Sequence, residues 1–227
     1  IENEYMQKID GVIVSSDYLK ELKSKHNPNC VVVKNGVNYK VFYDYYQKHE
    51  KKKYRKVGYI GSLDFRFEAE MIAWVAQQMP EYEFEFVGRV ANEKQKAKLE
   101  PVSNIKFYPP VKLDQVPGIM FNCDVGIIPY TRINENKSIY PLKINEYLSV
   151  GTPVVRTDFA HLPEFNDQVS MATNKEEFLE KIKYEIENDS REKQDQRAAF
   201  ASRNSWESRA GAFGEALLNF SKKQNNG

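Results

Sequence analysis

Strand-like and helix-like segments alternate along nearly the whole chain. The clearest strand patterns are KVGYIG (residues 56–61), YEFEFVG (82–88) and DVGIIPY (124–130), which are β-branched or alternate between apolar and polar residues. Helical spacing of apolar residues lies between them, for example in residues 68–79, which Pro80 ends. Strict alternation of strands and helices predicts an α/β protein with a parallel sheet covered by helices on both faces.

The same pattern extends toward both ends of the chain. Residues 11–16 (GVIVSS) and 31–34 (VVVK) are short β-branched strands, and a helix over residues 18–25, capped by Asp17, lies between them. Two or three helices close the chain. The remaining predicted elements are helices over residues 91–99, 113–121 and 141–150 and strands over residues 104–109, 154–155 and 168–171.

Residues 38–55 interrupt this regularity, because they lack periodicity and are rich in charge and tyrosine. We therefore predict a domain boundary there. The run KHEKKKYRK (residues 48–56) is the one strongly basic stretch of the sequence, and its simplest interpretation is a solvated linker. A phosphate-binding or lipid-binding patch is the alternative.

Composition argues against several classes of function. The chain has 227 residues, 41% of them hydrophobic, and a formal net charge of +1, whereas nucleic-acid binding requires a basic surface. The two cysteines, Cys30 and Cys123, are predicted to be reduced core residues of a cytoplasmic protein without structural zinc. No apolar run of the sequence approaches the roughly 18 residues of a membrane-spanning helix. Since the sequence begins with Ile1, we expect it to be part of a longer protein.

The position of a ligand follows from the predicted sheet, because ligands of parallel sheets bind beyond the carboxyl ends of the strands. This rule gathers five segments around one crevice, namely residues 61–66, 88–89, 109–111 and 129–139 and the start of the helix over 141–150. Candidate site residues are therefore expected in these segments.

The segment YPLKINEYLSVGTPVV (residues 140–155) carries the most informative charges. Pro141 suits the first turn of a helix, whose free N–H groups attract anions. Lys143 lies in the same turn and could hold a phosphate, and Glu146 could accept hydrogen bonds from two neighbouring hydroxyl groups. The alternative is an ion pair between Lys143 and Glu146 worth about 0.2–0.5 kcal/mol, and spacing alone favours it.

Two glycines and two arginines are further candidates. Gly61 and Gly88 each end a strand, where a glycine either lets a backbone N–H approach a phosphate or serves a tight turn. Arg66 and Arg89 follow them and could clamp a diphosphate, with solvated arginines as the alternative. The stretch GSLDFRF after the first of these strands matches neither common glycine motif for nucleotides.

No arrangement typical of a hydrolase nucleophile or a metal site can be placed in the sequence. Asp64, at a strand end, is predicted to cap the following helix. His161, in the loop after residues 154–155, is a lone histidine and therefore a weak candidate. The residues themselves predict a binding crevice without an evident acid, base or metal centre.

Taken in order, these segments resemble the donor-binding half of GT-B glycosyltransferases, and most closely the GT4-like group called glycosyl transferases group 1. PLKINEYLSVGTPVV (residues 141–155) resembles that family's second glutamate motif and the strand after it. GYIGSL (58–63) resembles its first strand and phosphate loop, and VVVKNGVN (31–38) resembles the end of the partner domain with its hinge. The resemblance runs from about residue 11 to about residue 220.

The resemblance implies a fold, a domain organisation and an activity. The fold would be the C-terminal half of GT-B, with a Rossmann-like sheet. Residues 1–45 would be the tail of an N-terminal acceptor domain with the hinge, 46–205 the donor-binding domain, and 206–227 a crossover helix. The enzyme would move a sugar from a nucleotide-diphosphate sugar, with a UDP-sugar as first choice, to a glycan or lipid-linked acceptor. Bacterial polysaccharide or cell-surface glycan synthesis is the implied process, without a metal or other cofactor.

The resemblance also implies roles for single residues. Glu146 would hold the ribose hydroxyls, and Lys143 and Arg66 would stabilise the leaving diphosphate. Tyr147 and Leu148 would be packing residues. The remaining implied contacts are the backbone N–H groups near Leu142 and the loop at Gly61 for the phosphates, Arg89 as the alternative to Arg66, and the backbone near Val111 for the base.

One position departs from the common family pattern. A first glutamate usually lies eight residues before the second and contacts the transferred sugar, and that position here is Ser138. The sugar contact and the stereochemistry of transfer are therefore left open. This variant is more similar to a branch with bacterial exopolysaccharide and teichuronic-acid glycosyltransferases.

Two other functions remain open at this point. The first is a non-catalytic nucleotide-sugar-binding module that needs a separate acceptor subunit. The second is a sugar-nucleotide epimerase, for which His161 is the one acid or base candidate. The expected location is the cytoplasm, and peripheral association with the inner face of the membrane is left open.

An apolar stripe marks the predicted C-terminal helix. Its members Trp206, Ala210, Phe213, Leu217 and Phe220 recur at spacings of four and three, which places them on one face. In the family that this chain resembles, the final helix crosses back to the N-terminal domain. We therefore predict that this stripe is buried partly against residues 11–33.

Overall fold

Two parallel sheets organise the computed structural model, which describes residues 1–224. The small sheet pairs β1 (Val12–Val14) with β2 (Cys30–Val32). The large sheet has six strands in the order β5-β4-β3-β6-β7-β8. Its members are β3 (Lys56–Ile60), β4 (Glu83–Val87), β5 (Ile105–Tyr108), β6 (Val125–Ile128), β7 (Val154–Thr157) and β8 (Ser170–Ala172). All strand pairs within both sheets are parallel, which confirms the predicted fold class.

Ten α-helices connect or follow these strands within the described residues. They are α1 (Glu2–Met6), α2 (Asp17–Lys23), α3 (Tyr39–Lys48), α4 (Ala69–Gln77), α5 (Glu93–Leu99), α6 (Val116–Phe121), α7 (Leu142–Ser149), α8 (Lys175–Glu187), α9 (Arg191–Ser202) and α10 (Trp206–Gln224). None of them is long and apolar enough to cross a lipid bilayer.

The central strands β3, β6 and β7 carry the core. Val57, Val125 and Val154 are completely buried, as expected for strands covered by helices on both faces. Cys30 and Cys123 are free thiols in buried positions, as predicted. The strand order reverses between β3 and β6, so their carboxyl ends open a crevice at the point where α/β sheets bind ligands.

Residues 38–55, where a domain boundary was predicted, include a helix that their weak periodicity did not reveal, since α3 occupies Tyr39–Lys48. This helix buries Phe42 and Tyr46, and the Tyr46 hydroxyl donates a hydrogen bond to Asp195 Oδ1 at 2.6 Å. Aromatic residues at helical spacing form its buried face. Because tyrosine carries a polar hydroxyl group, the sequence of this buried face looks hydrophilic.

Two helix starts differ from the predicted ones by one residue. Ser16, not Asp17, caps α2, because its hydroxyl accepts a hydrogen bond from the Leu19 N–H at 3.2 Å. Pro141 is the residue before α7 and not its first helical residue. Shifts of this size are common at helix ends.

Helix α10 reaches back to the segment around the small sheet. It begins beside Gly36, and the Trp206 N–H donates to the Val37 carbonyl at 3.0 Å. Near its other end the Phe220 ring lies against Gly11, so closely that a Cβ there would overlap it. The helix therefore contacts the predicted segment at residue 11 and also the adjoining residues 36–37.

The α10 stripe is buried only in part. Phe220 is only 8% exposed, but Phe213 is 45% and Leu217 is 51% exposed. A helix of 19 residues is roughly 28 Å long. A sheet of two three-residue strands spans only about 10 Å and cannot cover it.

Candidate functional site

A crevice of about 390 Å³ opens at the carboxyl ends of β3 and β6, beside the start of α7. It brings together five residues that the sequence analysis selected, namely Gly61, Arg66, Leu142, Lys143 and Glu146. The other residues that line it are Asn35, Ile60, Leu113, Val116, Tyr130, Ile139, Tyr140 and Pro141.

Lys143 lies across the floor of this crevice. Its ammonium donates a hydrogen bond to the Tyr130 hydroxyl at 3.1 Å. The same ammonium lies 5.3 Å from the ring centre of Tyr59 and 5.8 Å from that of Tyr130. Two aromatic rings therefore hold the cation in place, and its hydrogen-bond partner is a neutral group.

Gly61 provides the space that Lys143 occupies. Its φ angle is +147°, and a Cβ at this position would overlap the end of the Lys143 side chain. The Gly61 N–H donates to the Val87 carbonyl at 2.8 Å, so it is not free for the predicted contact with a phosphate. The glycine serves the site through close packing.

Gly88 has an analogous role one strand away. Its φ angle is +143°, and a Cβ there would overlap the Gly61 carbonyl oxygen. Its N–H donates to the Tyr108 carbonyl at 3.0 Å. The tight-turn alternative therefore describes Gly88, and its contribution to the site is to keep the backbone of Gly61 in position.

The Glu146 side chain lies one turn along α7 from Lys143 and is half-buried in the crevice wall. Among the side chains of residues 1–222, its carboxylate accepts no hydrogen bond and forms no ion pair, with Lys143 or with any other residue. Burial raises the pKa of Glu146, although the nearby Lys143 ammonium lowers it. The alternative of an ion pair between these two residues is therefore wrong.

Arg66 is held against the crevice by Asp64. The Arg66 Nε lies 3.0 Å from Asp64 Oδ1, and its guanidinium is 5.4 Å from the Tyr130 ring centre. Burial alone would raise the pKa of Asp64, but hydrogen bonds and charge from Arg66 hold it below its ordinary value. Asp64 also accepts the Arg66 N–H at 3.0 Å, so it shapes a turn and does not cap α4 as predicted.

The start of α7 adds backbone donors to the same crevice. The first intrahelical bond runs from the Ile144 N–H to the Pro141 carbonyl at 3.3 Å. The N–H groups of Leu142 and Lys143 precede it and have no acceptor within the helix. Lys143, Arg66 and these two N–H groups converge on one side of the crevice, which makes that side suitable for an anion.

Three predicted contacts do not line the crevice. Arg89 is exposed, Val111 lies in the loop before Leu113, and the Ser138 hydroxyl donates to the Glu135 carbonyl at 2.9 Å. Leu113, two residues beyond Val111, does line it. Of the two arginines that the sequence left as alternatives, the structure places Arg66 at the site. His161 is exposed and also lies outside the lining.

Sequence reasoning missed Tyr59, Tyr130 and Asn35. Tyr59 is a buried strand residue, and nothing in its pattern separates it from the core. Tyr130 follows β6 within residues 129–139, which were expected to border the crevice. That position could have identified it as a site residue. Asn35 reaches the site from the β2 side, because its side-chain amide donates to the Tyr140 carbonyl at 3.2 Å.

The unpaired Glu146 carboxylate gives a prediction about stability. Since burial raises its pKa, the fold favours the protonated form, and stability is lost as pH rises through that raised value. Glu146→Gln should therefore increase the free energy of unfolding by about 1 kcal/mol at pH 7.5, with the gain vanishing near pH 4. Denaturant unfolding at both pH values measures this difference. Glu180→Gln, at an exposed position of α8, is the control, and an equal gain there would contradict the interpretation.

The chain is similar in sequence to glycosyltransferases. A family model described as glycosyl transferases group 1 matches residues 54–188, more than half of the chain. A Bacillus subtilis (strain 168) protein assigned to teichuronic acid biosynthesis as a glycosyltransferase, TuaH, is 31% identical over 168 residues. The aligned region is 69% of this chain and 42% of that protein.

Two solved structures share the fold. The chain matches Anabaena HepE, solved in complex with UDP and glucose, with a TM-score of 0.71 and 18% identity over 92% of this chain and 63% of that one. It matches sucrose-phosphate synthase from Thermosynechococcus elongatus with a TM-score of 0.74 and 15% identity over 98% and 61%. The chain therefore spans less than half of the Bacillus relative and less than two thirds of both solved chains.

Proposed function

Because this chain belongs to the family of glycosyl transferases group 1, we propose that it forms the donor-binding half of an enzyme that transfers a sugar from a nucleoside-diphosphate sugar to an acceptor. The family and the parallel α/β fold agree with the resemblance drawn from the sequence. In this proposal residues 46–205 bind the donor, residues 1–45 belong to a preceding acceptor domain and its hinge, and residues 206–227, of which 225–227 lie outside the described residues, cross between the two.

The observation that carries the proposal is that Lys143 and Glu146 face the same crevice without pairing. A cation and an anion one helical turn apart would be expected to neutralise each other unless each serves another group. A nucleotide satisfies both, because it has a diphosphate for Lys143 and two vicinal ribose hydroxyls for Glu146. The apolar Leu113 and Val116 side chains of the same crevice provide a surface for the base.

Sugar transfer leaves negative charge on the diphosphate, which in this proposal lies beside the cations of the crevice. The anomeric C–O bond to the diphosphate breaks, its electron pair stays on the diphosphate oxygen, and the acceptor oxygen forms the new bond and loses its proton. Lys143, Arg66 and the first N–H groups of α7 stabilise the negative charge on the leaving group. We propose that these groups suffice without a bound metal ion or other cofactor.

We further propose UDP as the nucleotide and a bacterial cell-surface glycan, or its lipid-linked precursor, as the acceptor. HepE was solved with UDP, and the Bacillus relative is assigned to teichuronic acid biosynthesis. In this proposal the acceptor would bind the preceding domain. The location would be the cytoplasm, with peripheral association at the inner face of the membrane.

A panel of nucleotides tests this proposal. We expect calorimetry to show that UDP binds this chain with EDTA present and more tightly than GDP or ADP. We also expect that no sugar is transferred from radiolabelled UDP-sugars to an acceptor, because in this proposal the acceptor binds a domain outside these 227 residues. Failure of all three nucleotides to bind would contradict the donor-site assignment, whereas acceptor-dependent turnover would contradict the division into halves.

A further inference from the structure

A second cavity, of about 620 Å³, lies at the opposite end of the large sheet. Residues 51–53 of the basic run line one side of it, just before β3 begins. Asp124, before β6, and Asp189 and Arg191, at the start of α9, line the others. We call this cavity the lysine cleft.

The lysine cleft is separate from the donor crevice. Strand β3 has five residues, with the lysine run before its first residue and Gly61 after its last. At about 3.3 Å per residue the two sites are roughly 16 Å apart, on opposite ends of the same strand. One diphosphate group cannot occupy both.

Lys51 is the unusual member of this cleft. Its ammonium donates a hydrogen bond to the hydroxyl of Thr152, a completely buried residue, and lies 5.4 Å from the Phe121 ring centre. No carboxylate of residues 1–224 forms an ion pair with it. Burial lowers the pKa of Lys51 to about 8, and nearby charges such as Asp189 only partly oppose this. A largely desolvated ammonium that has only a neutral partner lacks a counter-ion.

The acidic residues of the lysine cleft are already engaged elsewhere. Asp124 accepts the backbone N–H groups of Tyr54 at 3.1 Å and of Lys56 at 2.8 Å. Asp189 accepts the Gln194 amide at 2.7 Å and pairs with Arg197. Glu50 lies exposed on the rim.

Two of the remaining cations of the lysine cleft, Lys52 and Lys53, have no carboxylate partner within the described residues. Both side chains are exposed. Arg191 pairs with Asp195 at 3.2 Å, on the surface of α9. The cleft therefore contains three lysines without carboxylate partners, namely the partly buried Lys51 and the exposed Lys52 and Lys53. The expectation of a fully solvated basic linker is wrong for Lys51.

We propose that the lysine cleft binds a phosphate group, with Lys51 at its base and Lys52 and Lys53 at its mouth. A phosphate accepts several hydrogen bonds from ammonium groups and supplies the charge that these residues lack. The phosphate could belong to a small soluble molecule or to the headgroup of an anionic lipid, and the chemistry of recognition is the same. This site does not depend on the donor crevice.

Inorganic pyrophosphate is the first probe. Its binding is measured by calorimetry in the Lys143→Met variant, so that the lysine of the donor crevice cannot contribute. Lys51→Met keeps the apolar stem against Phe121 and should weaken pyrophosphate binding about 10-fold or more. Lys52→Gln combined with Lys53→Gln should weaken it about 3- to 10-fold without risk to folding, because both side chains are exposed. Lys94→Gln, at an exposed lysine of α5, should leave it unchanged.

Sedimentation with phosphatidylcholine vesicles that contain 30% phosphatidylglycerol distinguishes the source of the phosphate. Pyrophosphate binding without vesicle binding assigns the cleft to a soluble phosphate. Vesicle binding that the Lys52→Gln and Lys53→Gln changes abolish assigns it to a lipid headgroup. Absence of both kinds of binding, or binding that the Lys51 and Lys52/Lys53 changes leave intact, would overturn the proposal.

Discussion

Replacing Lys143 with methionine should weaken UDP binding about 10- to 100-fold and leave uridine binding nearly unchanged. The ammonium lies between two aromatic rings with a neutral tyrosine hydroxyl as its partner, so its charge is available to the diphosphate. Methionine keeps an unbranched side chain beside Gly61 that is one atom shorter, and it removes the charge together with the hydrogen bond to the Tyr130 hydroxyl. Calorimetric titration of uridine and UDP into both proteins measures the difference.

Glu146→Ala should behave differently and weaken uridine as well as UDP, about 10-fold each. This carboxylate faces the crevice without a partner, and its proposed contacts are the ribose hydroxyls, which both ligands have. Arg89→Ala is the matched control for removal of a charge beside the site, because Arg89 is exposed and does not line the crevice. If both ligands lost affinity equally in the Lys143 and Glu146 variants, this division of roles would be wrong.

Gly61→Ala should remove most of the UDP affinity and also destabilise the protein. Alanine is strained at a φ of +147°, which costs about 1–3 kcal/mol. Its Cβ would also overlap the end of Lys143 and force that side chain out of its place between the rings. We expect UDP binding to fall at least about 10-fold, together with a lower midpoint of thermal unfolding.

A double-mutant cycle separates these two effects. In the Lys143→Met background, Gly61→Ala should still lower the melting temperature but should cause little further loss of UDP affinity. Gly211→Ala is the control for adding a methyl group, because Gly211 lies in α10 with open space around it and should gain about 1 kcal/mol of stability. Unchanged UDP affinity in the Gly61→Ala protein would contradict the packing role assigned to this glycine.

The sequence was sufficient for those parts of the fold that local pattern determines. KVGYIG and DVGIIPY became the buried strands β3 and β6, and the helix with Lys143 and Glu146 formed within two residues of its predicted limits. Once the sheet is parallel, topology alone places Gly61 and Lys143 at one end of it. These inferences need only hydrophobic periodicity and the rule for where such sheets bind ligands.

The parts that could not be predicted depend on contacts between distant segments. The spacing of Lys143 and Glu146 favoured an ion pair, and only the position of Tyr130 explains why the lysine turns to another partner. Lys51 belongs to a charged run that was predicted to be solvated, but in the fold the loop before β7 places the Thr152 hydroxyl against its ammonium. Helix α3 was hidden because its buried face consists largely of tyrosines. In each case tertiary contacts outweighed the local pattern.

Amide chemical-shift mapping of the isotope-labelled chain during titration with UDP tests the central claim most directly. If residues 46–205 carry the donor site at the carboxyl ends of the strands, the largest shifts should fall at residues 61–66, 113–116 and 130–146. Residues 51–53 and 189–194, at the other end of the sheet, should shift little at low UDP concentration. Saturable shifts centred on that other end, or no shifts with UDP at millimolar concentration, would contradict the assignment of this crevice as the nucleotide-sugar site.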